Sequence, residues 1–164
     1  MKKIFIPIFI LPLILGCSAQ KKYYLKAQDF TGKKIIFSLH EGSSYQKIDK
    51  FGEHSGNSKE PNLFEVLKQS VEELSDETEI NMVYSPSSVF PTDSIIPVIV
   101  NIKNIDWIFN GTKNTMNVNI EYQLPNQVID IVGVHTYKIF VAGNKSGNLK
   151  KSLKDGHKQL LSAL

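Results

Sequence analysis

The chain has 164 residues and sets 19 basic against 16 acidic side chains, a formal net charge of +3, a size that fits one domain with an ordinary core. Every basic residue is lysine, so the bidentate arginine contacts that read bases and phosphates are missing and no nucleic-acid partner is expected. Cys17 is the sole cysteine, which excludes an internal disulfide and a cysteine redox pair.

In chain order, Lys2 and Lys3 precede an apolar run from Ile4 to Leu15, followed by Gly16 and Cys17. A positive start, a short apolar stretch and a small residue before the cut form the layout of a secretory signal peptide. The run is shorter than the roughly 20 residues that span a bilayer core, and Pro7 and Pro12 oppose a stable membrane helix. The stretch Ile14-Leu15-Gly16-Cys17 resembles a bacterial lipobox. The resemblance implies cleavage that removes residues 1–16, a diacylglycerol thioether on the sulfur of Cys17 and an acylated amine. Cys17 is thus the one predicted functional residue, a lipidation site. Losing Lys2 and Lys3 leaves 17 basic against 16 acidic residues. Residues 17–22 form a lipidated polar tether, and the six residues from Cys17 to Tyr23 reach about 20 Å at most, which keeps the domain close to its membrane. Ser18, where an Asp would retain a familiar Gram-negative lipoprotein at the inner membrane, implies release to the outer membrane, facing the periplasm.

Residues 23–164 read as a single α+β domain. Lys33 to Leu39 alternates as a strand with Ile35, Phe37 and Leu39 on one face. The polar stretch Glu41 to Pro61 reads as a long loop, either mobile or a binding element. Asn62 caps a helix with Glu65 three residues on; Leu63, Leu67, Ser70, Val71 and Leu74 form its core face, and the other face is acidic. Glu79 to Tyr84 is a short strand. Val98, Val100 and Ile102 then alternate in one phase and Ile105, Trp107 and Phe109 in the other, which predicts a bulge around Lys103-Asn104. Asn110-Gly111 marks a hairpin, and Met116, Val118, Ile120 and Tyr122 alternate through the next strand. After a turn at Pro125-Asn126, a third strand runs from Gln127 to Val141 with a possible second bulge at Gly133. A closing helix, Asn148 to Leu164, carries Leu149, Leu153, Gly156, Leu160 and Leu164 on one stripe and lysines elsewhere. The order predicts a two-layer sandwich: about five mainly antiparallel strands with both helices on one face. The acidic first helix and the basic last one have complementary flanks.

Candidate chemistry is sparse. His40, His54, His135 and His157 lack metal-ligand spacing, so no metal and no cofactor are expected. Gly52-Glu53-His54-Ser55-Gly56 places its serine one position too late for a nucleophile elbow. Glu72 and Glu73 read as a solvated helix face. The lysine-rich last helix has two readings, a membrane-surface element or a packed core helix, and Gly156 within its apolar stripe favours packing.

The order of short tether, strand, helix, meander and terminal helix resembles several small Gram-negative envelope lipoproteins: the lipopolysaccharide-assembly lipoprotein LptE, the YajG-like lipoproteins and the auxiliary lipoproteins of lipid-transport systems. The start Tyr23-Tyr24-Leu25 shortly after Cys17 is similar to the last group, although the aromatic-acidic motifs that group shows around its first helix are missing. The resemblance implies a domain that is not an enzyme and that docks onto an envelope complex; only Cys17 is carried over as a functional residue. The alternative is a periplasm-facing binding or inhibitory module for a glycan, peptide or small ligand, using the Glu41–Pro61 loop.

Overall fold

The computed structural model describes residues 23, 25, 27–51, 59–138 and 144–164. After a 3-10 turn at Ala27–Phe30 come β1 (Lys34–Leu39), a second 3-10 turn (Glu41–Tyr45), β2 (Ile48–Phe51), α1 (Leu63–Thr78), β3 (Met82–Tyr84), β4 (Ile95–Asn110), β5 (Lys113–Leu124), β6 (Gln127–Lys138) and α2 (Lys145–Ala163). The fold is α+β, an open sheet with two helices packed on one face. The sheet runs β3-β1-β4-β5-β6, and β2 pairs with β4 off this path.

Two expectations change. Among the described residues the sheet has six strands, and it is mixed: β1 runs parallel to β3 and β4, and β2 parallel to β4, while β4/β5 and β5/β6 are antiparallel. Parallel pairs need crossovers, and the chain provides two. α1 carries it from β2 to β3 across the inner face. The segment 85–94 returns it from β3 to β4, past β1. Travel in the opposite direction on the opposite face keeps both crossovers the same hand. The burial of Ile36 and Ser38 on that outer face, with Pro97 beside Ile36, marks the return path. Pro97 is tolerated because β5 pairs with β4 only from Ile99 onward, so the missing N–H has no ladder partner to fail.

The stretch Glu41–Pro61 is likewise more than a loop, since it holds a 3-10 turn and β2. β2 continues the line of β1 along the same side of β4: β1 pairs with Ile95–Val100 and β2 with Ile105–Ile108. Where the ladder passes from one to the other, Ser43 Oγ accepts from the backbone N–H of Ile102 at 2.7 Å and donates to Asn101 Oδ1 at 3.2 Å. A hydroxyl thus replaces the missing strand carbonyl. The β4/β5 register shifts between Ile102 and Asn104, as the phase change predicts. The bulge therefore turns Val98, Val100, Ile102, Ile105 and Trp107 all to the buried face.

Gly133 is not a bulge. The β5/β6 register is continuous through Val118↔Gly133. The glycine is needed by the helix above it: a Cβ at Gly133 would lie 2.2 Å from the carbonyl oxygen of Ser152. Gly156, one turn on, presses against Ile120 and Tyr122. Small residues on both elements thus bring α2 close to the sheet.

Asn62 caps α1, its side chain accepting from Phe64 N at 3.0 Å and Glu65 N at 3.4 Å. Asn144 caps α2, accepting from Gly147 N at 2.6 Å, so this helix begins before Asn148. Leu149, Leu153, Gly156 and Leu160 are buried as the stripe predicts, while Leu164 is exposed. The two helices lie side by side with complementary charges: Glu73 pairs with Lys150 and Lys154, and Glu77 with Lys154 and Lys158. The Lys150 hydrogen bond foremost lowers the Glu73 pKa, and that of Lys154 lowers Glu77. Partly exposed pairs of this kind contribute about 0–1 kcal/mol each; they fix which flanks adjoin. Cys17, the Gly52–Gly56 motif and the expected end of the third strand at Val141 lie outside the described residues.

Candidate functional site

The layer between helices and sheet holds a buried polar chain. Ser70 on α1, Tyr122 on β5 and His157 on α2 are all fully buried. Ser70 Oγ donates to the Leu67 carbonyl at 2.7 Å. Its oxygen is then the acceptor for His157 Nε2–H at 3.1 Å. That tautomer leaves Nδ1 as an acceptor, and Tyr122 donates to it at 2.8 Å. The Phe37 ring closes one side of the imidazole with centroids 4.9 Å apart. Burial pushes the His157 pKa down to about 3 and the Tyr122 phenol well up, with Asp155 adding to the latter. The trio has the residue types of a nucleophile, a base and an orienting group. However, every proton is already committed and no face of the histidine meets solvent, so the arrangement cannot receive a substrate. It ties α1, α2 and the sheet together.

A second cluster lies toward the β4–β5 hairpin on the same inner face. The strand register aligns Trp107, Met116 and His135 in one cross-strand row, and Phe109, Asn114 and Tyr137 in the next. With strands about 4.8 Å apart, each row spans about 10 Å. The first turn of α2 roofs it through Asn148, one turn before Ser152, whose hydroxyl donates to Met116 O at 3.0 Å. The rings of Trp107 and Phe109 are 4.8 Å apart, and those of His135 and Tyr137 stack at 5.8 Å. Asn114 Nδ2 donates to the Tyr137 hydroxyl at 3.2 Å. Four polar atoms here are shielded from solvent without a hydrogen-bond partner: Trp107 Nε1, Asn114 Oδ1, His135 Nε2 and Asn148 Nδ2. Buried groups of this kind are normally satisfied, and each exception calls for a cause. Burial first, and Lys151 second, lower the His135 pKa against the opposing pull of Asp155. The cluster offers two donors, an acceptor, a neutral imidazole and stacked rings, which is recognition chemistry and not an acid–base pair.

On the outer face of the sheet, β4 and β5 carry a polar ladder, while Val128, Val132 and Val134 of β6 are exposed. Asn101 and Gln123 both donate to Glu121 Oε1, at 3.1 and 2.8 Å, and Lys103 pairs with its other oxygen at 2.8 Å. The Lys103 hydrogen bond, then those from Gln123 and Asn101, bring the Glu121 carboxyl down to about 2. Asn104 donates to both oxygens of Asp106 at 3.0–3.1 Å. Of the remaining histidines, His40 accepts from Gly42 N at 3.1 Å as a turn cap, and His54 lies outside the described residues. Among the described residues no group of three or more His, Cys, Asp and Glu side chains could hold a metal ion.

The sequence pattern does not reveal either inner cluster as a unit, because its members lie far apart in the chain. The available signals are polar residues on apolar faces: Ser70 on the core face of α1, His157 beside the leucine stripe of α2, and Asn114 and His135 in phase with buried strand positions.

No family model matches the chain, and no curated protein matches it. Solved structures similar to it in part include the following two. One, described only as an uncharacterized protein, is 10% identical with a TM-score of 0.45, covering 80% of this chain and 89% of that one. The other, the hypothetical protein CT253 from Chlamydia trachomatis, is 10% identical with a TM-score of 0.38, covering 80% of this chain and 92% of its own.

Proposed function

We propose that this protein is a non-catalytic lipoprotein of the bacterial envelope, anchored through lipid on Cys17, facing the periplasm from the outer membrane and serving as an accessory or assembly subunit of an envelope complex. The observation that carries this reading is the sole cysteine placed directly after Ile14-Leu15-Gly16 at the end of a short apolar run. No helix among the described residues is long and apolar enough to cross a membrane; the acyl chains on Cys17 are the proposed attachment. The sealed Ser70–His157–Tyr122 chain supports a non-catalytic role. Cys17→Ser removes the sulfur that forms the thioether, so the variant should incorporate no labelled palmitate and should leave the outer-membrane fraction. Equal labelling of variant and wild type refutes the anchor.

A second reading, a binding module for a small polar ligand such as a sugar, is favoured by the unpartnered atoms of Trp107, Asn114, His135 and Asn148. It shifts the binding element from the Glu41–Pro61 stretch to the row beside β2, whose Lys50 is the register partner of Trp107. Under this reading a panel of mono- and disaccharides should contain one that raises the melting temperature, and Trp107→Phe, which removes the N–H donor and keeps a smaller aromatic ring, should cut the rise. A rise that is unchanged in Trp107→Phe refutes this site.

A further inference from the structure

Phe90 is 92% exposed, far more than any other large apolar side chain described. It sits at the crest of the crossover 85–94, between Pro86 and Pro91, in a run from Ser85 to Thr92 that carries no charge. Pro91 shares a hollow with Ile95, Ile96 and the Leu124–Gln127 turn, so Phe90 stands beside that turn. Pro125 in that turn and Val128 just past it, the latter 60% exposed, lie at the same pole. Ile95 also lines a hollow of about 580 Å³ with Lys33 and Lys34, which places these two exposed lysines at the same pole, with Asp93 next to them. At the opposite pole the described residues Asn110, Gly111, Thr112, Lys113 and Lys138 are exposed and polar.

We propose that the pole bearing Phe90, Pro91, Pro125 and Val128 rests on a phospholipid bilayer, with the Phe90 ring among the acyl chains. This rests on the lipid-anchored reading above. The length of the tether permits it. Asp155 lies against Tyr23 and raises the pKa of its phenol, after burial as the main cause, and the same carboxylate accepts from Val134 N at 2.9 Å. Val134 is six strand residues from Val128, about 20 Å, and the six residues from Tyr23 back to Cys17 span about the same. With the tether fully extended, a lipid on Cys17 therefore reaches the level of the apolar rim. An exposed aromatic on a proline-flanked loop costs little ordering on insertion. Contiguous apolar surface with a polar surround marks such contacts, and interfacial elements sink their apolar side chains about 5–10 Å.

The full-length protein permits a direct test. With Cys17 acylated, Phe90→Cys supplies the single free thiol, as does Thr112→Cys at the opposite pole. Each is labelled with an environment-sensitive fluorophore and reconstituted in phosphatidylcholine–phosphatidylglycerol vesicles, and the mass of the N-terminal peptide reports the lipid on Cys17. The expected result is a blue-shifted emission at position 90 that doxyl-lipids quench, and an aqueous, unquenched emission at position 112. An aqueous probe at position 90 on acylated protein overturns the proposal and leaves the anchor standing. A shift seen in native membranes but not in pure-lipid vesicles overturns it in favour of a protein partner. A peptide mass without lipid overturns both readings.

Discussion

Gly133→Ala should lower the unfolding free energy by about 3 kcal/mol or more, at the upper end of overpacking costs. The added methyl would sit 2.2 Å from the carbonyl oxygen of Ser152 and 3.1 Å from the amide nitrogen of Gly156. Both atoms are backbone, so no rotamer change relieves the clash; helix and strand must separate. Separation also strains the Ser152–Met116 hydrogen bond and the bonds that α2 side chains make to the β6 edge, Asp155 to Val134 N and Gln159 to Val132 O, both 2.9 Å. These two side chains cap outward-facing groups of an edge strand that could otherwise pair with another chain, so the variant should also aggregate more readily. Gly111→Ala is the control: its Cβ meets nothing within 4 Å, and only the positive φ of 54° opposes it, at about 1–2 kcal/mol. Urea unfolding of the two variants gives the ranking. A Gly133→Ala midpoint equal to that of the wild type would refute the close docking of α2 on β6.

The contrast between the two glycines shows what a sequence displays and what it hides. Gly111 follows Asn110 between alternating strands, so its role in a hairpin is local and readable. The role of Gly133 depends on a helix about twenty residues later, and a glycine within a strand gives the same signal whether it marks a bulge or a close approach. The bulge at Lys103–Asn104 was legible because it changes the phase of six apolar residues. The first helix was legible through its cap and both helices through their stripes, and their pairing through opposite charge, while the cap of α2 at Asn144 was not. β2 was hidden by Lys47, Asp49 and Lys50 within a polar stretch, since a short strand on the sheet margin has little apolar patterning to show. The parallel pairings were hidden because strand direction depends on where crossovers run, and a crossover without a helix, such as residues 85–94, looks like any proline-punctuated loop. Of the candidate sites, the anchor is read from contiguous residues. The inner clusters are assembled from three or more elements and appear only once the register is known.

His157 should make the domain sensitive to acid. Its pKa lies near 3 in the fold against about 6.5 in an unfolded chain. The folded state therefore holds the neutral ring through a range in which the unfolded state binds a proton. Its contribution is fully present above about pH 6.5 and is lost as pH falls toward 3, at about 1.4 kcal/mol per unit within that window. From pH 6.5 to 4.5 that amounts to about 2 kcal/mol, a large share of the roughly 5–15 kcal/mol typical of a domain. His135, also depressed by burial, acts in the same direction. Glu73 and Glu77, with lowered values, add their losses only below the ordinary carboxylate range. Protonating Nδ1 would turn it from acceptor to donor, so the Tyr122 hydroxyl would have to accept and its own proton would lose its acceptor in a dry layer. The measurement is urea unfolding from pH 7.5 to 4.5, alongside NMR of the histidine ring nitrogens. The ring of His157 should hold the Nε2–H tautomer with no titration across that range. The combined variant Ser70→Ala, Tyr122→Phe, His157→Leu removes the chain as a unit without leaving an unpaired partner, and it should flatten the pH dependence by more than half. A His157 ring that titrates near 6.5 in the folded protein, or a wild-type stability that is level from pH 6.5 to 4.5, would show that the histidine is not sealed between the helices and the sheet.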